Sequence, residues 1–193
     1  MKGIKLLLFS FILMGMIASC SDDDNNNSNP TPGESYFPLS EETIRTYRDD
    51  FGGNIEDYTY SFVDKVTINE KEYLRFSKSS DFTFSYLRVA ANGDVYEYLA
   101  QFEREILVCK AELKTGDMWK NGDDGLFDFQ VGETGLTAFV EGKTYSDVAK
   151  VYHLDSQGNY DEENRFILYA KGIGRIFYQL TPTYSISLIA YQH

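Results

Sequence analysis

Leu87-Arg88-Val89-Ala90-Ala91-Asn92-Gly93-Asp94-Val95-Tyr96-Glu97-Tyr98 decides the fold class. Asn92-Gly93 supplies the positive φ that a tight hairpin turn needs, because glycine has no Cβ to clash and asparagine tolerates the left-handed region. Beyond the turn, Val95, Glu97 and Leu99 point to one face and Tyr96 and Tyr98 to the other. That period of two belongs to a half-buried strand, not to a helix.

The same grammar extends outward in both directions. Phe82, Phe84 and Tyr86 alternate with Thr83 and Ser85, and Tyr58, Tyr60 and Phe62 alternate with Thr59 and Ser61. Turn clusters such as Gly52-Gly53-Asn54, Thr115-Gly116-Asp117, Glu141-Gly142-Lys143 and Gln157-Gly158-Asn159 separate the runs. The pattern predicts strands near 43–49, 55–68, 72–78, 82–90, 94–100, 104–111, 135–140, 145–154, 164–171 and 174–181, with a further one at 184–191. No long window shows helical spacing, and Ser40-Glu41-Glu42-Thr43 starts a single turn at most. Short connections make sequence neighbours antiparallel neighbours in space. The expectation is therefore an all-β, antiparallel meander forming a curved sheet: a half-barrel, a clam, or a barrel-like sandwich that shelters its edges. Residues 36–193 are long enough for one domain with a core of its own.

The amino-terminal stretch reads as an address. Lys2 and Lys5 precede the apolar run Leu6–Ile17. A helix needs about 20 apolar residues to cross a bilayer, so this run has the length of a signal-peptide core instead. Residues 22–35 hold Asp, Asn, Ser, Pro, Thr, Gly and Glu without one large apolar side chain. Such a stretch cannot offset its ordering entropy and serves as a tether spanning roughly 20 Å.

Ile17-Ala18-Ser19-Cys20 resembles a bacterial lipobox. The resemblance implies that 1–19 is a removed lipoprotein signal peptide, that Cys20 carries the acyl chains, and that 20–35 is the tether. Two or more chains give stable anchoring, at about 0.8 kcal/mol per buried CH₂. Ser21-Asp22-Asp23-Asp24 resembles the acidic export tag of Bacteroidota lipoproteins delivered to the cell surface. Tyr36-Phe37-Pro38-Leu39, Leu113-Lys114-Thr115-Gly116-Asp117-Met118-Trp119 and Tyr169-Ala170-Lys171-Gly172-Ile173-Gly174-Arg175-Ile176 resemble phrases of small β-rich outer-membrane lipoproteins of Bacteroidota. This implies a lipid-anchored outer-membrane protein facing the cell exterior, with the membrane as its first partner.

Charge narrows the partners. Asp and Glu number 30 against 18 Lys and Arg, a net charge of −12, and loss of Lys2 and Lys5 with the leader makes the mature chain more acidic. Nucleic acid, which requires a basic face, is not an expected partner. Once Cys20 is lipidated only Cys109 remains as a thiol, so no internal disulfide forms. Cys109 lies in Ile106-Leu107-Val108-Cys109 and reads as a buried small hydrophobe. Two histidines, His153 and His193, are too few for most zinc sites.

Other constellations have bland readings beside them. Gly172-Ile173-Gly174 runs on into Arg175-Ile176-Phe177-Tyr178, so these glycines allow a hairpin and not a phosphate cradle. Asp117, Asn121, Asp123, Asp124 and Asp128 suggest a calcium loop, but Gly125 stands where a ligand belongs and no glutamate closes it. Glu103 and Glu105 share a strand face and are candidate acid and base, or else protective edge charges. No residue pattern calls for a metal or cofactor. Tyr96, Tyr98 and Trp119 are candidate rings for stacking on sugar faces, or else core aromatics. The leading expectation is a non-enzymatic domain binding a ligand or surface partner, with glycan the first class. The alternative is a carrier or assembly factor holding an acyl chain or apolar peptide in a cavity lined by Phe82, Phe84, Leu99 and Ile106. A hydrolase built on His153 or paired carboxylates comes last.

Overall fold

The computed structural model describes residues 34–121, 128–155, 157–161 and 163–192. The leader, Cys20, the acidic tag and nearly all of the tether lie outside them, as do Asp123 and Asp124. The described chain is all-β. Its strands are β1 (Ile44–Phe51), β2 (Asn54–Ile68), β3 (Lys71–Lys78), β4 (Phe84–Val89), β5 (Val95–Leu99), β6 (Arg104–Cys109), β7 (Met118–Trp119), β8 (Phe129–Val140), β9 (Lys143–His153), β10 (Phe166–Ala170), β11 (Gly174–Thr181) and β12 (Tyr184–Gln192). The strands expected from 55 to 109 and from 143 to 192 appear close to their predicted bounds. The two-residue β7 and the first half of β8, 129–134, were not foreseen.

Every pairing is antiparallel, and the sheet order is β6-β5-β4-β3-β2-β1-β12-β11-β10-β9-β8-β7. Sequence neighbours pair throughout except at one place, and β1 and β12 zip the two chain ends together from Ile44↔Gln192 to Phe51↔Tyr184. The result is an up-and-down meander nearly closed into a barrel, its seam between β6 and β7 in mid-chain. Closure removes edges that would otherwise present unpaired backbone to other chains. Side chains span the seam: the Trp119 indole N–H donates to the Leu107 carbonyl at 2.9 Å, and the Asn121 amide reaches the same residue.

The turn that decided the fold forms as its chemistry requires. Gly93 sits at φ +84°, and the Ala90 N–H donates to the Asp94 carbonyl at 2.8 Å. Gly132 has a different reason. A Cβ there would lie 2.2 Å from Cε2 of Tyr152 on the neighbouring strand, so only glycine lets that ring lie flat over β8. The apolar alternation of Phe129 and Val131 stops at Glu133, which hides the start of β8 from a pattern reading.

Two core clusters fill the barrel. Phe37, Val95, Trp119, Val131, Val151 and Tyr169 belong to one; Tyr47, Tyr58, Val148, Ile176 and Leu188 belong to the other. The β8–β9 hairpin is bent where Gly135 and Asp147 take positive φ. Its tip folds back so that Glu141 accepts from Arg48 at 2.9 Å and from Ser187 at 2.7 Å, and Lys143 donates to the Ile189 carbonyl at 2.7 Å. Arg48 and Ser187 are cross-strand partners on the face opposite Tyr47 and Leu188, so the tip clasps the outside of β1 and β12.

Candidate functional site

Alternation along β1 to β5 sends one set of side chains inward. From β1 come Arg45 and Tyr47, from β2 Tyr60, from β3 Phe76, from β4 Ser85 and Leu87, and from β5 Glu97. With Arg175 of β11 they line a partly open chamber of about 110 Å³ on the inner face of the barrel. The chamber is charged, which is unusual for a protein interior, where ionised groups occur only when paired or put to use.

The two arginines are held differently. Arg45 is part of the framework: its guanidinium donates to the Pro38 carbonyl and, at 3.3 Å, to the Ile173 carbonyl. It also lies 5.0 Å from the Phe37 ring centroid and 5.4 Å from that of Tyr191. Gly174, at φ +109°, passes so close that a Cβ would meet the Arg45 guanidinium at 3.2 Å. The Gly172-Ile173-Gly174 segment is therefore a hairpin fitted around an arginine, in keeping with its structural reading.

Among the described residues Arg175 makes no such hydrogen bonds to backbone carbonyls, although the Nε of Arg45 is unpartnered like its own. Its guanidinium carbon lies 5.1 Å from the Tyr47 ring centroid and 5.8 Å from that of Tyr178. Its Nε is buried without a hydrogen-bond partner, and among the described residues no carboxylate comes within the 4.0 Å of an ion pair. Arginine does not shed its proton in proteins, so a full positive charge faces the chamber with no carboxylate in ion-pair contact, and Glu97 acts on it only across the chamber. Glu97 stands on the wall formed by β5. Burial raises its carboxyl above the ordinary carboxylate range, with Ser85 and then Arg175 pulling the other way. Tyr60 and Ser85 place hydroxyls on the same side.

The sequence-predicted site residues separate. Tyr96 and Tyr98 alternate with Glu97 and so project from the outer face of the sheet, where Tyr98 pairs with Tyr86 and Tyr96 with Arg88. The Arg88 guanidinium lies 4.5 Å from the Tyr96 ring centroid, and Tyr98 packs on Tyr73 at 6.0 Å. Trp119 does not join them. It is 6% exposed, stacked on Phe129 at 5.2 Å and pinned by its indole N–H to Leu107. The single tryptophan closes the seam, and a three-ring sugar platform with Tyr96 and Tyr98 does not form. Nor do the residues expected to line an apolar cavity meet in one: Phe82 is 79% and Phe84 46% exposed.

The candidate catalytic groups are each engaged or enclosed. Glu103 sits at φ +50° in the turn before β6, not on a shared strand face with Glu105. Glu105 accepts from Lys71 at 2.8 Å, from Tyr73 at 2.6 Å and from Arg88 Nη2 at 2.8 Å. Burial alone would raise its pKa, but those bonds outweigh it and hold the carboxyl at about 2. Cys109 is fully buried and burial pushes its thiol up. His153 is clamped between Phe129 and Tyr178 at 4.5 and 5.3 Å, and desolvation, aided by Arg165, lowers it to about 3. Of the proposed acidic loop, Asp117, Asn121 and Asp128 are described: Asp117 Oδ2 lies 3.8 Å from Lys110 Nζ, and the Asn121 N–H donates to Asp128 Oδ1 at 3.1 Å. No group of three or more metal-ligating side chains gathers among the described residues.

Arg175 and Glu97 were missed as a site. The signal was present in the alternation, where Glu97 shares a face with Val95 and Leu99. A carboxylate flanked by apolar residues on the inward face of a strand needs a reason.

Comparison with protein-family models, with curated proteins and with solved structures finds no match for this chain.

Proposed function

We propose that this chain is a lipid-anchored, non-enzymatic binding barrel whose ligand occupies the interior chamber. The observation that carries the reading is Arg175: an enclosed cation, unpaired, facing about 110 Å³ of open interior. Burying an uncompensated charge costs several kcal/mol, and a fold that keeps such a residue gains something other than stability from it. The engaged state of Glu105, the depressed His153 and the raised Cys109 thiol support binding over catalysis. The volume speaks against a long acyl chain or a peptide. An apolar cavity of about 150 Å³ accepts the six carbons of benzene, so this chamber holds roughly four or five non-hydrogen atoms.

The address completes the reading. Cys20 anchors the chain in the outer membrane, 22–35 forms the tether, and the barrel faces the exterior. The described chain is consistent with a tether at one end: the Gly172 N–H donates to the Ser35 carbonyl at 2.8 Å, fixing the entry beside the β10–β11 turn. Two measurements test the proposal. The wild-type chain partitions with membranes and the Cys20→Ala chain does not; equal partitioning removes the anchor. Native mass spectrometry of the chain released from its host shows a small adduct that Arg175→Met lacks; an adduct-free barrel contradicts the chamber reading.

A second reading rests on a separate observation. Tyr86, Tyr96 and Tyr98 are contiguous on the outer face across β4 and β5. They form the remaining surface on which a glycan would stack, with Arg88 lying over part of it. A glycan array with a Tyr96→Ala/Tyr98→Ala control tests this, and binding that survives the double substitution places the glycan elsewhere.

A further inference from the structure

We propose that the chamber is a site for a small hydroxy-carboxylate, its carboxylate on Arg175 and its hydroxyl toward Glu97, Ser85 and Tyr60. This deepens the chamber reading above and rests on it.

The ligand class follows from the two walls and the space between them. On one side a guanidinium presents a planar fork with an unsatisfied Nε. Carboxylates match that fork with two parallel hydrogen bonds, which are about twice as strong as neutral ones and stronger still away from water. Arg45 commits its Nη2 to two backbone carbonyls and keeps an unpartnered Nε of its own, so it adds positive potential beside Arg175. On the other side Glu97, Ser85 and Tyr60 are polar. A purely aliphatic tail would strip water from those groups and return no hydrogen bond in exchange. A hydroxyl both donates and accepts, so it meets that wall whether or not Glu97 holds its proton. Phe37, Phe76 and Leu87 line the chamber between the polar groups and suit a short carbon chain. The volume holds roughly four or five non-hydrogen atoms, so a six-atom molecule fills the chamber and reaches its open side.

The test is calorimetric titration of the mature lipidated chain in detergent with four probes that share a three-carbon chain: 3-hydroxypropionate, propionate, 3-hydroxypropionamide and β-alanine, all at one chloride concentration. The expected order places 3-hydroxypropionate first, with 3-hydroxypropionamide at least about tenfold weaker, the equivalent of about 1.4 kcal/mol. Propionate falls between them and β-alanine below. In Arg175→Met the preference for carboxylate over amide disappears, while the unchanged far-ultraviolet circular dichroism of that variant certifies its fold. Glu97→Gln, which keeps a donor and an acceptor, retains carboxylate binding and serves as the second folded control.

Each other result counts against the idea in a distinguishable way. Amide binding as tight as carboxylate overturns the carboxylate assignment and leaves the chamber as a binding site. Propionate matching 3-hydroxypropionate overturns the hydroxyl assignment. β-Alanine binding tightest makes the ligand a zwitterion spanning Arg175 and Glu97. Failure of all four probes, together with no adduct on the native chain, overturns the chamber reading itself.

Discussion

Asn121 meets Leu107 with both halves of its carboxamide: the Leu107 N–H donates to Oδ1 at 2.7 Å, and Nδ2 donates to the Leu107 carbonyl at 2.9 Å. A side chain thereby makes the pair of bonds that a neighbouring strand residue would make. The barrel is closed at its one open seam by an amide that imitates backbone.

Replacing Asn121 by Ala removes both bonds and leaves the half-buried Leu107 N–H without a partner, while the Leu107 carbonyl keeps the Trp119 indole N–H. The expected loss is about 1–3 kcal/mol in urea unfolding. Native-state hydrogen exchange should show the Leu107 amide, protected in the wild type, opening well before the β1–β2 amides. Uniform loss of protection across all strands would mean that the seam has no local role.

His153 costs stability that Phe should restore. Its ring nitrogens are both buried without partners between Phe129 and Tyr178. Replacing a buried unsatisfied polar ring by an apolar one of like shape is neutral or stabilising, so His153→Phe should melt higher. The pH dependence follows from a folded pKa of about 3 against a reference of 6.5. The unfolded chain takes up the proton first, so stability falls as pH drops from about 6.5 toward 3. The variant should flatten the upper part of that slope. An unchanged slope between pH 6.5 and 5 would show that His153 is not the group responsible.

Glu105 acts at lower pH. Its folded pKa of about 2 lies below the reference of 4.5. The stability it supplies is complete above 4.5 and is lost as pH falls through that interval toward 2. Glu105→Gln should destabilise the barrel at pH 7 and make acid unfolding shallower below pH 4.5. Equal acid limbs in the two proteins would assign the transition to other carboxylates.

Much of this architecture is written locally and part of it is not. Asn92-Gly93, Glu141-Gly142 and the tyrosine alternations are short-range statements, and the strands they imply are present. The role of Trp119 is long-range. Its Gly/Asp neighbourhood suggests exposure, while the partner that buries it, Phe129, belongs to a strand whose apolar pattern stops at Glu133. The chamber is more distant still: Arg175 and Glu97 are brought together only by closure of β1 on β12, which no local motif announces.

Gly132 gives a direct check on that hidden strand. Gly132→Ala places a methyl into the Tyr152 ring, itself stacked on Tyr160 at 4.7 Å, and should cost about 1–3 kcal/mol. The double variant Gly132→Ala/Tyr152→Leu should cost less than the sum of the two single changes. Strict additivity would contradict the contact.

The most direct test of the binding chamber is the melting temperature of Arg175→Met with no ligand added. If Arg175 is held for a ligand, removing its uncompensated charge raises the midpoint, by roughly 2–4 °C for each kcal/mol in a domain of this size. If Arg175 instead holds the barrel together, the midpoint falls by a similar amount or more, and the chamber is framework and not a site.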